Sequence, residues 1–255
     1  MVWTTVQTPD IIGSVSLRRP MSQEKASRDL GRRKRMEKTR LLVVDDEALF
    51  RELLCRTLST EPGLEVVGVA GDGETAVRLA KQDKPDVVIM DIELPGKLDG
   101  IEASLQIKKE RPKTGVVILS AHSERRYVTS LPLEDIQGWA YLLKQTAPDL
   151  ATVVRAIEGS KAGMVVLDPT VVAGLRPRQG SAVARLNPRH QEVLELLAQG
   201  YSNAAIAQLL KLSRKSVETY INAIYQELHL SHEQDIHARV KATLLYLESS
   251  RSRQG

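Results

Sequence analysis

The stretch "LLVVDDEALF", residues 41–50, sets four apolar residues directly against three carboxylates. An apolar, β-branched run of that length reads as a strand buried on both faces, with Asp45 and Asp46 at its C-terminal end. Neighbouring carboxylates raise one another's pKa, so the arrangement makes chemical sense where a cation is expected.

The pattern recurs downstream. The runs "LEVVGVA" (64–70), "DVVIM" (86–90), "GVVIL" (115–119) and "WAYLL" (139–143) alternate with amphipathic segments near residues 47–59, 73–82, 100–110, 122–131 and 148–160. Five such β-α units predict a doubly wound α/β domain, a five-stranded parallel sheet with helices on both faces. In that topology the first and third strands flank the switch point, where ligands bind beyond the strand C-termini. Asp91, which closes "VVIMD", therefore converges on Asp45 and Asp46. An all-oxygen acidic pocket suits Mg²⁺, which keeps waters and accepts phosphate oxygens. Ser120 and Lys144 close two further strands. A hydroxyl, an ammonium, a divalent ion and a nucleophilic aspartate are the parts needed to take up a phosphoryl group.

The 255-residue chain has room for a second domain. Its net charge of +4 is unevenly spread. Residues 1–40 hold ten Lys and Arg against four acids, residues 41–160 hold 14 against 20, and residues 161–255 hold 12 against eight. An acidic middle thus precedes a basic end, and basic segments favour nucleic acid. Residues 1–38, with Pro9, Pro20 and the run "GRRKRMEK", read as a disordered basic extension. Residues 161–185 collect Gly, Pro and Arg and read as a linker, and residues 249–255 as a disordered tail. The single cysteine, Cys55, excludes a disulfide framework, and no apolar run is long enough to span a bilayer, which together suit a cytoplasmic protein with no membrane partner.

Residues 186–248 lack strand patterns and read as a small all-α domain of four helices. Asn187 before Pro188, Ser202 before "NAAIAQLL" and Ser213 before "RKSVETYINAIYQEL" are helix N-caps, and the last two helices have helix-turn-helix spacing. Ser231 and Gln234 form a capping box before a last helix. Val217, Ile221, Ile224 and Leu228 share the core face of the third helix. Lys215, Thr219, Asn222 and Gln226 share the opposite face, with Glu218 beside them, and such groups read base edges in a major groove.

Residues 41–160, with Asp45, Asp46, Asp91, Ser120 and Lys144 at strand ends, resemble a response-regulator receiver domain of the flavodoxin-like kind. The stretch "LNPRHQEVLELLAQGYSNAAIAQLLKLSRKSVETYINAIYQELHL" (186–230) resembles the LuxR-type helix-turn-helix. Together they resemble a NarL/FixJ-type two-component response regulator. The resemblance implies Asp91 as phosphoacceptor, Asp45, Asp46 and Asp91 as Mg²⁺ ligands with the Glu93 carbonyl, and Ser120 and Lys144 as partners of the phosphoryl oxygens. Tyr141 matches the switch aromatic. Glu218, Thr219 and Asn222 are implied as DNA contacts, with Arg214 and Lys215 near phosphates. The implied partners are a sensor histidine kinase, double-stranded DNA and, in the active state, a second copy of the chain, paired through a stripe that includes Ile236, Val240, Leu244 and Leu247. The same stripe equally suits core packing.

Three departures from the family pattern stand out. The Asp91–Gly100 loop is one residue longer than usual, Ser120 and Lys144 lie about two residues further apart, with Pro132 interrupting the fourth helix, and Gln145 replaces a common proline. They keep a regulator with a phosphorylation-independent receiver open beside the phosphorylated one. An Mg²⁺-dependent phosphohydrolase is disfavoured because Glu93 stands where an Asp-x-Asp pattern needs its second aspartate; a protein-binding adaptor is the remaining alternative. The expected class is a transcription factor, not an enzyme.

Overall fold

The structure, a computed structural model, describes residues 38–121, 136–147, 149–230 and 238–250. The N-terminal extension up to residue 37, the helix expected at 122–131, the capping box of Ser231 and Gln234, and Ile236 lie outside the described residues.

All sheet pairings are parallel, in the order β2-β1-β3-β4-β5-β6. The strands are β1 (Thr39–Val44), β2 (Leu64–Ala70), β3 (Val87–Asp91), β4 (Gly115–Ser120), β5 (Trp139–Leu143) and β6 (Val166–Leu167). Between them lie α1 (Ala48–Leu58), α2 (Gly73–Asp83), α3 (Gly100–Glu110) and α4 (Leu150–Lys161). Every residue of β3, β4 and β5 is buried, as helices on both faces require. Side chains alternate between faces: Leu41, Val43, Ile89 and Leu119 meet Leu54, Leu58, Val153 and Ile157 of α1 and α4, while Leu42, Val88, Met90 and Ile118 meet Ala76, Ala80, Ala103 and Ile107 of α2 and α3.

The sheet has six strands where the sequence pattern indicates five. The difference lies in the segment 161–185, which carries β6, then α5 (Pro169–Gly174) and α6 (Ala182–Arg185). Val165, Val166 and Leu167 are β-branched or apolar and cover the open edge of β5, pairing Val166 with Ala140 and Leu167 with Tyr141. Two residues are too few to show a period in sequence. From Leu167 the core continues through Val171, Val172, Leu175 and Val183 into the helical domain, so this segment is packed where a plain linker was expected.

The helical domain comprises α7 (Pro188–Ala198), α8 (Asn203–Leu209), α9 (Arg214–Glu227) and α10 (Ala238–Ser249). Asn187, Ser202 and Ser213 cap the first three by accepting from the N–H groups of His190, Ala205 and Ser216. Ser249 and Ser250 do not belong to a disordered tail: both are buried, their hydroxyls donating to the Tyr246 carbonyl at the end of α10.

The long loop before α3 returns to the sheet because residue 100 is glycine. A Cβ there would stand 1.7 Å from the Asp91 carbonyl oxygen, and the Gly100 N–H donates to Ile92 O at 2.9 Å. Asp99 and Glu102 close the helix start with a capping box. Gly100→Ala is expected to destabilise the fold by about 2 kcal/mol or more in urea unfolding, since backbone and not a movable side chain must yield. Gly63→Ala, where a Cβ meets nothing within 4 Å, serves as the control.

Candidate functional site

Parallel strands end on one edge, and that edge assembles the site. Val44 pairs with Met90, Asp91 with Leu119 and Ser120 with Leu143, so the residues at and just after the ends of β1, β3, β4 and β5 lie in one row. Asp45 and Asp91 are buried, Asp46 is exposed, and their carboxylate oxygens lie within 4.8 Å of one another.

The Lys144 ammonium stands between the two buried acids. Its Nζ is 3.0 Å from Asp45 Oδ2 and 3.0 Å from Asp91 Oδ2. It also donates to Glu47 Oε1 at 3.1 Å and lies 5.0 Å from the centre of the Phe50 ring. Glu47 and Phe50 are additions to the site that strand-end reasoning missed. Glu47 was visible as the third acid of "DDE", but it is the turn into α1, where the Glu47 N–H donates to Asp45 Oδ1 at 2.9 Å, that aims it at Lys144.

Burial dominates the electrostatics. It pushes the Asp91 carboxyl up to about 6, against the pull of the Lys144 hydrogen bond and charge, and the Asp45 charge adds to the rise. Asp45 is likewise raised by burial, with Lys144 opposing. Burial also works against the Lys144 charge, but Asp45, Asp91 and Glu47 outweigh it and hold the amine above the ordinary lysine range. Three carboxylates thus contact one ammonium, with Asp46 beside the acid pair. Asp45 Oδ2 is buried with no hydrogen bond of good geometry, having only its ion pair to Lys144. An all-oxygen donor set with excess negative charge fits a hard divalent cation held by Asp45, Asp46 and Asp91.

The remaining receiver residues fall in or beside this row. Ser120 is buried, and the fully buried Tyr141 pairs with Ile118 three residues before Lys144. The Glu93 N–H lies 3.4 Å from Asp91 Oδ1, which sets residue 93 against the acid pair. The lengthened loop is anchored away from the site, the Lys97 N–H donating to Glu74 Oε1 of α2 at 2.8 Å.

In the helical domain Val217, Ile221, Ile224 and Leu228 are buried, while Arg214, Lys215, Glu218, Thr219, Asn222 and Gln226 are exposed. The helix-turn-helix bend between α8 and α9 uses Lys211 at φ +54. His190 Nδ1 lies 2.9 Å from Glu227 Oε1 and its ring meets Tyr220 edge-on, which pins the far side of α9 to α7 and leaves the polar face outward. The Thr219 hydroxyl donates to Lys215 O at 2.9 Å, so its oxygen remains an acceptor at the surface. In α10, Val240 and Leu247 are buried and Leu244 is half-buried, placing most of the described stripe in the domain core.

Residues 41–158 match the response regulator receiver domain family, and residues 184–239 match the luxR family of bacterial regulatory proteins. The chain is 32% identical over 215 residues to the transcriptional regulatory protein DegU of Brevibacillus brevis, a match covering 76% of this chain and 89% of that one. It is 34% identical over 199 residues to the probable transcriptional regulatory protein NarL of Mycobacterium tuberculosis, covering 76% and 90%. The chain belongs to the response regulators. The RcsB response regulator of Salmonella typhimurium shares the fold at a TM-score of 0.50 and 24% identity, covering 84% of this chain and 99% of that one. This response regulator has a receiver and a LuxR-type DNA-binding domain, and none of its described helices is long and apolar enough to cross a membrane.

The raised Asp91 carboxyl has a stability consequence in metal-free protein. The native state holds this proton to about pH 6 and the unfolded chain only to the ordinary carboxyl value of 3.8, so the native advantage is full below that value and is lost as pH rises through 6. Relative to Asp91→Asn, metal-free wild type is expected to lose on the order of 3 kcal/mol of unfolding free energy between pH 4 and pH 7. Urea titrations of both proteins across that range check it.

Proposed function

We propose that a sensor histidine kinase phosphorylates this response regulator on Asp91 to control dimerisation and sequence-specific DNA binding in the cytoplasm. The observation that supports it most is the burial of Asp45 and Asp91 around one lysine at the C-terminal edge of the sheet. An Asp91 carboxylate oxygen attacks phosphorus, the bond from phosphorus to the donor nitrogen breaks, and an acyl phosphate forms. Asp45, Asp46, Asp91 and the Glu93 carbonyl would hold Mg²⁺, which when bound would neutralise charge on the phosphoryl oxygens. Lys144 turns from the acid pair to a phosphoryl oxygen, Ser120 donates its hydroxyl to another, and Tyr141 responds to Ser120's new position. Output is the binding of DNA, not turnover of a substrate.

In this reading residues 39–160 form the receiver and 186–248 the DNA-binding domain, with residues 1–38 a basic extension. Glu218, Thr219 and Asn222 reach base edges, and Arg214 and Lys215 meet phosphates. With few basic groups on that face, a homodimer that doubles the contacts is what makes binding specific, Leu244 being the most accessible of the described stripe.

Intact mass after incubation with Mg²⁺ and a small phosphoryl donor tests the phosphoacceptor. Wild type gains one phosphoryl group and Asp91→Ala gains none; no gain in folded wild type would favour a receiver that works without phosphate. On DNA, Asn222→Ala is expected to cost about 1–3 kcal/mol on the preferred sequence and to relax specificity. Lys215→Ala is expected to weaken all sequences alike and to lower the salt slope by about 1. Binding titrations on matched and scrambled fragments at several salt concentrations read both.

A further inference from the structure

Asp168 directly follows β6, in the segment that leads to the DNA-binding helices, and it is fully buried. A carboxyl group in an apolar interior is costly unless hydrogen bonds replace its hydration. Two of its donors belong to the turn that carries Lys144. Asp168 Oδ2 accepts from the Leu143 N–H at 3.1 Å and from the Thr146 hydroxyl, while Oδ1 accepts from the Thr170 N–H at 2.7 Å and caps α5. The Asp168 N–H donates to the Tyr141 carbonyl at 2.7 Å. The Thr146 hydroxyl has one proton and two acceptors in reach, Asp168 and the Leu143 carbonyl at 2.7 Å, and either choice closes the turn. Lys144 is thereby bracketed by two residues that a single buried carboxylate holds. Gln145, within the same turn, is exposed and has none of the stiffness of a proline ring, so the turn takes its shape from these outside bonds.

We propose that Asp168 is a positioning residue for Lys144, holding the turn so that the ammonium stands between Asp45 and Asp91. Its effect on phosphorylation rests on the reading of Asp91 as phosphoacceptor. The same bonds make the coupling two-way: a Lys144 that moves toward a phosphoryl group pulls on the first residue of the cap of α5, and a displaced α5 loosens the site.

Asp168→Ser separates the two roles, because serine still caps a helix but is too short to reach Leu143 and Thr146. Thr146→Val removes the hydroxyl from the other side without touching the interdomain segment, and carries the test if Asp168→Ser does not fold. The first readout is acylation of Lys144 by an amine-reactive ester in metal-free protein, followed by peptide mass. The second is the maximal rate of Asp91 phosphorylation by phosphoramidate with Mg²⁺. Asp168→Ser is expected to raise Lys144 acylation about ten-fold as the amine leaves its acid partners. It is expected to lower the maximal phosphorylation rate about ten- to hundred-fold with the half-saturating donor concentration unchanged, Thr146→Val acting in the same directions but less. Added to Lys144→Ala, Asp168→Ser lowers the rate no further, because it acts through the lysine. Unchanged Lys144 acylation in folded Asp168→Ser, or a rate loss that adds in full to that of Lys144→Ala, would overturn the proposal. Faster acylation in Asp168→Ser with no phosphoryl uptake by wild type would sink the phosphoacceptor reading and leave the positioning role standing.

Discussion

One ammonium between two buried carboxylates organises the receiver. Asp45 and Asp91 are pressed into the sheet edge, where burial makes their charge unfavourable, and Lys144 at 3.0 Å from each is the protein's own counterion. That arrangement demands register. A slip of one residue in β5 would send Lys144 to the other face of the sheet and leave both acids without their cation. The uninterrupted apolar pairing of β3, β4 and β5 is what prevents the slip. Three acids on one amine, with Asp46 beside them, leave the charges unbalanced, and this all-oxygen set fits a hard divalent cation.

The helical domain answers a different constraint: how to keep a polar helix face outward. Its apolar stripe is buried against α7 and α8, and the His190–Glu227 contact fixes the far flank. Between the domains the chain is structured. Val166 lies against Gly200, where a Cβ would come within 2.8 Å of it, and Arg155 of α4 donates to Gln199 O at 2.9 Å while its guanidinium lies 4.1 Å from the Tyr201 ring centre. Glycine is needed at 200 both for that approach and for its φ of +79. Receiver and DNA-binding domain therefore share contacts at the C-terminal end of α7 and the turn into α8.

Much of this was legible in the sequence because period and chemistry agreed there. The five strands and the placement of Asp45, Asp46, Asp91, Ser120 and Lys144 follow from apolar runs that end on polar residues, and the helix starts at Asn187, Ser202 and Ser213 from their caps. What was not legible depends on tertiary partners. β6 exists because β5 has an open edge, and two residues of strand carry no period. Glu47 acquires its role only through the turn into α1. Asp168 looks in sequence like an ordinary cap before Pro169; its second carboxylate oxygen reaches a turn 25 residues earlier, which no local pattern records. Ser249 and Ser250 look like a polar tail until their hydroxyls are seen bonded to the Tyr246 carbonyl.

The central claim is that charge acquired at Asp91 is felt by α9, far along the chain. The most direct measurement is the affinity of one preparation for a genomic fragment that the protein itself selects, taken at fixed salt before and after phosphorylation to completion, with Asp91→Ala treated alongside. The account predicts tighter binding after phosphorylation of wild type and no change in Asp91→Ala. Equal affinity of the phosphorylated and unphosphorylated wild type would contradict it and leave a DNA-binding protein whose receiver does not speak to its helices.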